Sequence, residues 1–177
     1  MTEVVRTNSE NSGKSFPGLL VRSYAPGDAR ALGEVFHRAV HEGASRRYTP
    51  AECNAWSPRP PASRLWEARL ADAETVVAET PEGPVGFMSL DPARGYLDLA
   101  FVVPEAMGRG VAAALYAVLE GRARAAGLVR LTTEASLLAE PFFARHGWRL
   151  VARQEVERHG VLLRNAVMEK TLRGADA

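Results

Sequence analysis

Cysteine is nearly missing from this chain. Cys53 is the only one in 177 residues, which excludes a disulfide framework and a cysteine-rich zinc site. Net charge is nearly missing too: Lys plus Arg come to 22 and Asp plus Glu to 21, leaving +1. A dedicated nucleic-acid binder normally carries a basic excess, so the balance weighs against that class. No apolar run approaches the ~20 residues that cross a bilayer. The opening MTEVVRTNSENSGKS lacks the apolar stretch of a signal peptide. Repeats of 20 to 50 residues are missing as well, which excludes solenoids and propellers. Lysine stands only at positions 14 and 170, so the basic side chains are almost all arginine; with so much alanine, this reflects genome composition more than function. The expectation is a soluble, cytoplasmic protein with one domain, large enough to bury roughly 70% of its unfolded surface.

What is present divides simply. Residues 1–18 are polar, turn-rich and without hydrophobic period, which predicts a disordered N-terminal tail ending at Phe16-Pro17-Gly18. A single domain follows over 19–172, and 173–177 is a C-terminal tail. Residues 19–23 are β-like. Asp28 is placed to cap a helix reaching Gly43, with Ala31, Leu32, Val35, Phe36, Ala39 and Val40 on its buried face. A proline-broken stretch, 46–61, holds a short helix near 51–55. A further helix at 63–71 turns Leu65 or Trp66, and Leu70, inward.

The period then changes. Residues 74–79 and 85–90 read as a hairpin, and 96–103 as a longer strand ended by Pro104. A long helix over 108–126 stops at Gly127. Strand 128–134, short helix 137–146 and a last hairpin, 148–156 with 161–172, complete the chain. The order β-α-α-β-β-β-α-β-α-β-β predicts a mixed α/β sandwich, neither a Rossmann alternation nor a bundle.

The stretch from Phe101 to Leu115, FVVPEAMGRGVAAAL, carries the chemistry. A strand enters a loop with Gly108 and Gly110, and a helix starts at once. Such glycines let backbone N–H groups converge at a helix N-terminus, and those amides with the positive end of the dipole hold phosphate. A nucleotide P-loop requires Gly-Lys-Ser/Thr, which does not occur here. A dinucleotide fingerprint requires a third glycine and then an acidic residue ending the next strand, whereas the spacing here is Gly-x-Gly-x-Ala. An ordinary glycine-rich connection is the alternative.

These residues resemble the GNAT acyltransferase superfamily, whose motif is Arg/Gln-x-x-Gly-x-Gly/Ala after a strand ending Val-x-Pro. The match is Met107-Gly108-Arg109-Gly110-Val111-Ala112, with Met107 in place of the usual Arg or Gln. Two further segments strengthen it: Val76-Val77-Ala78-Glu79 with Pro84-Val85-Gly86-Phe87, and Ala139-Glu140-Pro141-Phe142-Phe143-Ala144-Arg145-His146-Gly147-Trp148. The resemblance spans about 19–172. It implies a GNAT fold with a mixed sheet of six to seven strands and about four helices. It also implies acetyl-CoA as co-substrate, with no metal. The pyrophosphate is expected on the amides of Gly108, Arg109, Gly110, Val111, Ala112 and Ala113. The pantetheine arm is expected along Phe101, Val102 and Val103, where the strands holding Val102 and Thr132 splay. Ser136 stands where the family often has Asn, and Phe143 where it usually has the Tyr that serves as general acid. Arg109, Arg122 and Arg145 are the cations offered to the phosphates, Arg109 first because it lies inside the loop.

The resemblance also implies direct attack by an amine on the thioester. The ammonium, with a pKa of ~10.4, must first lose a proton to a base. Asp98 is the only carboxylate in the strand before the loop, and period two puts it on one face with Tyr96, Ala100 and Val102. Glu134 is the second candidate base. With Phe143 unable to donate, the thiolate's proton comes from water or another residue, Tyr48 and Tyr116 being candidates. A backbone N–H at Val102 or Val103 is the oxyanion donor. For the acceptor pocket the candidates are His37 and His41, four apart on one helical face, and Tyr48 and Trp56, flat surfaces with polar tips. Tyr48-Thr49-Pro50 and Trp56-Ser57-Pro58 resemble one bacterial branch of GNAT enzymes of unassigned substrate.

Taken together, the reading is an N-acetyltransferase acting on a primary amine of a small molecule or peptide. An inactive acyl-CoA-binding sensor is the alternative, favoured by Phe143 and Met107. A toxin-like GNAT acting on aminoacyl-tRNA is a third, against which the near-neutral charge argues. No membrane partner is expected. The oligomeric state stays open, with a homodimer among the options.

Overall fold

The computed structural model describes residues 5–6 and 16–172. The expected tails therefore fall mostly outside the described residues. The exceptions are β1 (Val5–Arg6), whose backbone pairs with Val21 and Leu20 of β2 (Leu20–Ser23), and residues 16–18.

After β2 a tight turn leads into α1 (Ala29–Arg38), which buries Leu32 and Val35. Asp28 precedes the helix but does not cap it. Its carboxylate is taken by Arg22, at 2.7 and 2.9 Å, and by the Ala25 amide at 2.8 Å. The predicted single helix to Gly43 is two windings. α1 ends at Arg38, and Ala39–Gly43 continue as a wider turn closed by the Ala44 N–H on the Ala39 carbonyl. Gly43 lets Met107 pack close there: a Cβ would stand 2.4 Å from Met107 Cε, and the methionine would have to shift.

The next two helices are capped by their own sequences. Thr49 and Glu52 form a reciprocal capping box at the start of α2 (Pro50–Trp56). Ser63 accepts from the Trp66 amide at the start of α3 (Arg64–Ala71). Of the two residues predicted to turn inward, Trp66 does so, with its Nε1 donating to the Ala29 carbonyl at 2.8 Å. Leu65 is 83% exposed.

The remaining elements are β3 (Glu74–Thr80), β4 (Gly83–Asp91), β5 (Tyr96–Val102), α4 (Val111–Ala125), β6 (Arg130–Ser136), α5 (Glu140–Arg145), β7 (Arg149–Arg158) and β8 (Val161–Thr171). They make one sheet in the order β1-β2-β3-β4-β5-β6-β8-β7. Among the described residues, seven strands and five α-helices thus form the domain, with the two-residue β1 on its edge. Val76, Val77 and Ala78 are all buried because β3 is covered on both faces, which is why that strand shows no alternation.

Two irregularities place the site. Among the described residues β5 and β6 are the one parallel pair, and they pair only at Tyr96–Thr132 and Leu97–Thr133. Beyond Thr133, whose hydroxyl donates to the Leu97 carbonyl at 2.8 Å, the strands separate. The second is a β-bulge. Ser89 pairs with Leu99 and Leu90 with Leu97, so Asp98 is the extra residue on β5. The bulge inverts the alternation. Asp98 meets Arg69 of α3, and Phe101 meets Phe36 of α1, on one face of the sheet. Val102 turns to the opposite face, within reach of Leu115 of α4. The predicted shared face of Asp98 and Val102 is thereby corrected.

Candidate active site

Two cavities meet where β5 and β6 part. One, about 410 Å³, lies between the end of β5, the loop into α4 and α5. The other, about 250 Å³, lies between α2, α3, β5, β6 and the β7–β8 hairpin. Phe101, Ser136 and Phe143 line both, so the two are halves of one passage through the sheet.

The larger cavity ends at the start of α4. Gly108 and Gly110 have φ of 71° and 82°, left-handed values that favour glycine. The first helical bond of α4 runs from the Ala114 N–H to the Gly110 carbonyl at 2.9 Å, so the amides before Ala114 have no acceptor in the helix. A Cβ at Gly108 would meet nothing within 4 Å, which leaves the cradle open. Ala112 and Ala113 keep the first turn low. Convergent amides, the positive end of a 15-residue helix and small side chains together suit a pyrophosphate.

The other cofactor candidates separate by position. Phe101, Val102, Ser136 and Phe143 line the larger cavity along with Gly108, Gly110, Ala112 and Ala113. Val103 does not: its N–H donates to the Val85 carbonyl of β4 at 2.9 Å. By antiparallel alternation the Val102 N–H then points away from β4, toward the opening. Val111 is fully buried and anchors the helix, so it offers only its amide. Arg109 lies over the Phe16 ring, 4.1 Å from its centroid, and does not line the cavity. Met107 packs on Gly43. Arg145 and His146 line the cavity, whereas Arg122 is bonded to Glu74 and Ser23.

Asp98 and Glu134 both line the smaller cavity, from the two separating strands. Asp98 accepts from Arg69 on both oxygens, at 2.6 and 2.7 Å. That bond, ahead of the charge itself, holds the Arg69 guanidinium above its ordinary range despite burial. Glu134 has one weak partner, the Asn165 Nδ2 donating at 3.4 Å. Burial, then the charges of Glu134 and Asp98, push the Tyr96 phenol upward.

Tyr48 and Trp56 also line this cavity. The Tyr48 hydroxyl donates to the Arg164 carbonyl at 2.7 Å and accepts from the Leu137 amide at 2.9 Å. It ties the turn before α2 to β8 and to the segment after β6, and burial raises its pKa, so it has no proton ready for transfer. Tyr116, the other candidate acid, is buried beside Trp148 and Lys170, on neither cavity wall. His37 and His41 line neither cavity. They stack at 4.3 Å and both bond Ser57, His37 through its hydroxyl and His41 through its carbonyl. They hold the chain that follows Trp56. Burial, and then the neighbouring His41, lower the His37 pKa. Cys53 is buried against the Val40 carbonyl, with its thiol pushed up by desolvation, which is no nucleophile's setting.

Comparison with known proteins decides the family. Residues 44–172 match the acetyltransferase (GNAT) domain. The chain belongs to the GNAT acetyltransferases. It is 39% identical over 148 residues to the uncharacterized N-acetyltransferase YafP of Escherichia coli K12, covering 84% of this chain and 93% of that protein. A GCN5-related N-acetyltransferase of Rhodopseudomonas palustris superposes with a TM-score of 0.82 at 32% identity, over 92% of this chain and 99% of the other. The PaiA N-acetyltransferase of Thermoplasma acidophilum, solved with coenzyme A, shares the fold at TM-score 0.69 and 14% identity, over 87% and 99% of the two chains.

Arg69 and Asn165 went unread in the sequence. Arg69 is one of many arginines, and only the bulge at Asp98 brings a partner to it. Asn165 did carry a signal, since asparagine is depleted in strand interiors and this one sits between Leu163 and Ala166, both buried.

Proposed function

We propose that this GNAT acetyltransferase moves an acetyl group from acetyl-CoA to a primary amine of a small molecule or peptide, with Glu134 as the base. The reading is supported most by the open amide cradle at Gly108–Gly110 joined, through the strand opening, to a second cavity that holds a carboxylate. When bound, acetyl-CoA supplies a thioester carbonyl open to attack.

Glu134 takes a proton from the incoming ammonium, directly or through water, leaving a neutral amine with its lone pair free. The amine nitrogen bonds to the acetyl carbon as the carbon–sulfur bond breaks, and the Val102 N–H faces the oxygen where charge develops. Glu134 passes the first proton on to water, and the freed carboxylate then takes the second proton from the nitrogen. The thiolate, with a pKa near ~8.5, leaves readily and takes a proton from water, since Phe143 cannot donate one. Amine and acetyl-CoA thus become amide and free coenzyme A. Glu134 is preferred to Asp98 because protonating Asp98 breaks a two-pronged, charge-assisted bond to Arg69, whereas Glu134 has oxygen lone pairs to spare.

The test is coenzyme A release from acetyl-CoA with a panel of primary amines. Glu134→Gln is expected to lose roughly 10²-fold or more in turnover. Wild-type rates in that variant would remove Glu134 as the base.

A further inference from the structure

The smaller cavity has an unusual division of labour on its walls. Phe36, Tyr48, Trp56, Tyr96 and Phe101 contribute rings to it. Phe36, Trp56, Tyr96 and Phe101 are each half-buried, so part of each ring remains open. Four of them are linked: Trp56 lies 5.4 Å from Tyr48 and 6.0 Å from Phe101, and Phe101 4.6 Å from Phe36; Tyr96 lines the same cavity from the start of β5. Such a wall accepts a flat apolar body by stacking and edge contacts.

The charges are as telling. Asp98 is neutralised by Arg69, and the Thr133 hydroxyl is spent on Leu97. Among the described residues, Glu134 is therefore the carboxylate of this cavity without a cation on it. The other charged liners, Arg158 and Arg164, are cationic, and neither is in an ion pair among the described residues. One anion at the strand opening serves one ammonium. A second ammonium further along the same molecule would meet arginine rather than carboxylate, at a cost set by like charge.

We infer that the acceptor is a compact monoamine whose single primary ammonium is carried on a flat, apolar body, the aralkylamine class, and not a polyamine. The inference rests on the acetyl-transfer reading above for what happens to that amine. The flat body lies among these rings, and the nitrogen reaches Glu134 at the opening. At about 250 Å³ the cavity suits one ring with a short arm.

Three probes decide it: 2-phenylethylamine, ethylamine and spermidine, each with acetyl-CoA and the full-length protein. The expected kcat/KM for 2-phenylethylamine exceeds that for ethylamine roughly tenfold or more, the ring being the added binding surface. Spermidine is expected at or below ethylamine. Tyr96→Ala, which alters the smaller cavity and leaves the larger untouched, is expected to erase most of the ring's advantage without moving the KM for acetyl-CoA. Spermidine turned over as well as 2-phenylethylamine, or no gain from the ring, overturns the inference while leaving acetyl transfer intact. If no amine is acetylated, the acetyl-transfer reading falls, and binding decides the rest by tryptophan fluorescence of the coenzyme A-bound protein. Saturable quenching by 2-phenylethylamine but not spermidine then supports the pocket's preference, and no quenching overturns it.

Discussion

Arg69 grips Asp98 with two nitrogens, Nε on Oδ2 at 2.6 Å and Nη2 on Oδ1 at 2.7 Å, and so fastens α3 to the bulge in β5. The pair sits in the wall of the smaller cavity with no net charge. Asp98→Asn is therefore expected to lower turnover only a few-fold and to leave the shape of the pH–rate profile intact. Glu134→Gln is expected to remove the acidic limb of that profile. Profiles of the two variants side by side check the assignment, and a lost limb in Asp98→Asn reverses it.

Gly110 holds a φ of 82° at the mouth of the cradle. Alanine there costs about 1–2 kcal/mol for the left-handed backbone and pulls the amides out of convergence. Gly110→Ala is expected to raise the KM for acetyl-CoA more than the KM for the amine, with a lowered melting temperature. Initial rates against each substrate separate the two effects.

Glu120 faces Lys170 at 2.7 Å and Arg124 at 2.6 Å, beside Tyr116. Burial alone would raise its pKa, but hydrogen bonds from Lys170, Tyr116 and Arg124 outweigh it and hold the carboxyl at about 2 against an ordinary 4.5. Between those values the unfolded chain binds the extra proton, so stability rises with pH there. The contribution is complete above the ordinary value and is lost as pH falls toward the folded one. Denaturant midpoints at about pH 6 and about pH 3 should fall further apart in the wild type than in Glu120→Gln.

Asn165 gives Glu134 its one hydrogen bond, at 3.4 Å, while its own Oδ1 is buried without a donor among the described residues. An unpartnered buried acceptor costs about 1–3 kcal/mol. Asn165→Val removes that cost and the lateral support of Glu134 together. The expected result is an unchanged or higher melting temperature with lower turnover; a lower melting temperature with unchanged turnover contradicts it.

The sheet, its helices and the Gly108–Gly110 cradle were legible because they are written in local signals. Period two gives way to a helical period, and the left-handed glycines stand next to a strand end. The pairing of the two candidate bases was not legible in the same way. Whether Asp98 is free depends on the bulge, which is set by the register of β4 against β5, and on Arg69, which is 29 residues away. The histidine pair shows the same limit: spacing put His37 and His41 on one face, but Ser57, on the loop after α2, decides what they do. Residues that act through a distant partner leave no periodic trace in the chain.

The central claim is that the strand opening and the α4 cradle bind acetyl-CoA. Thermal unfolding with acetyl-CoA, with free coenzyme A and with ATP tests it most directly. Ligand at about 100 times its dissociation constant adds about 2.7 kcal/mol, a rise of roughly 5–11 °C for a domain of this size. The account predicts that rise with acetyl-CoA and none with ATP. No rise with either acetyl-CoA or coenzyme A would contradict it.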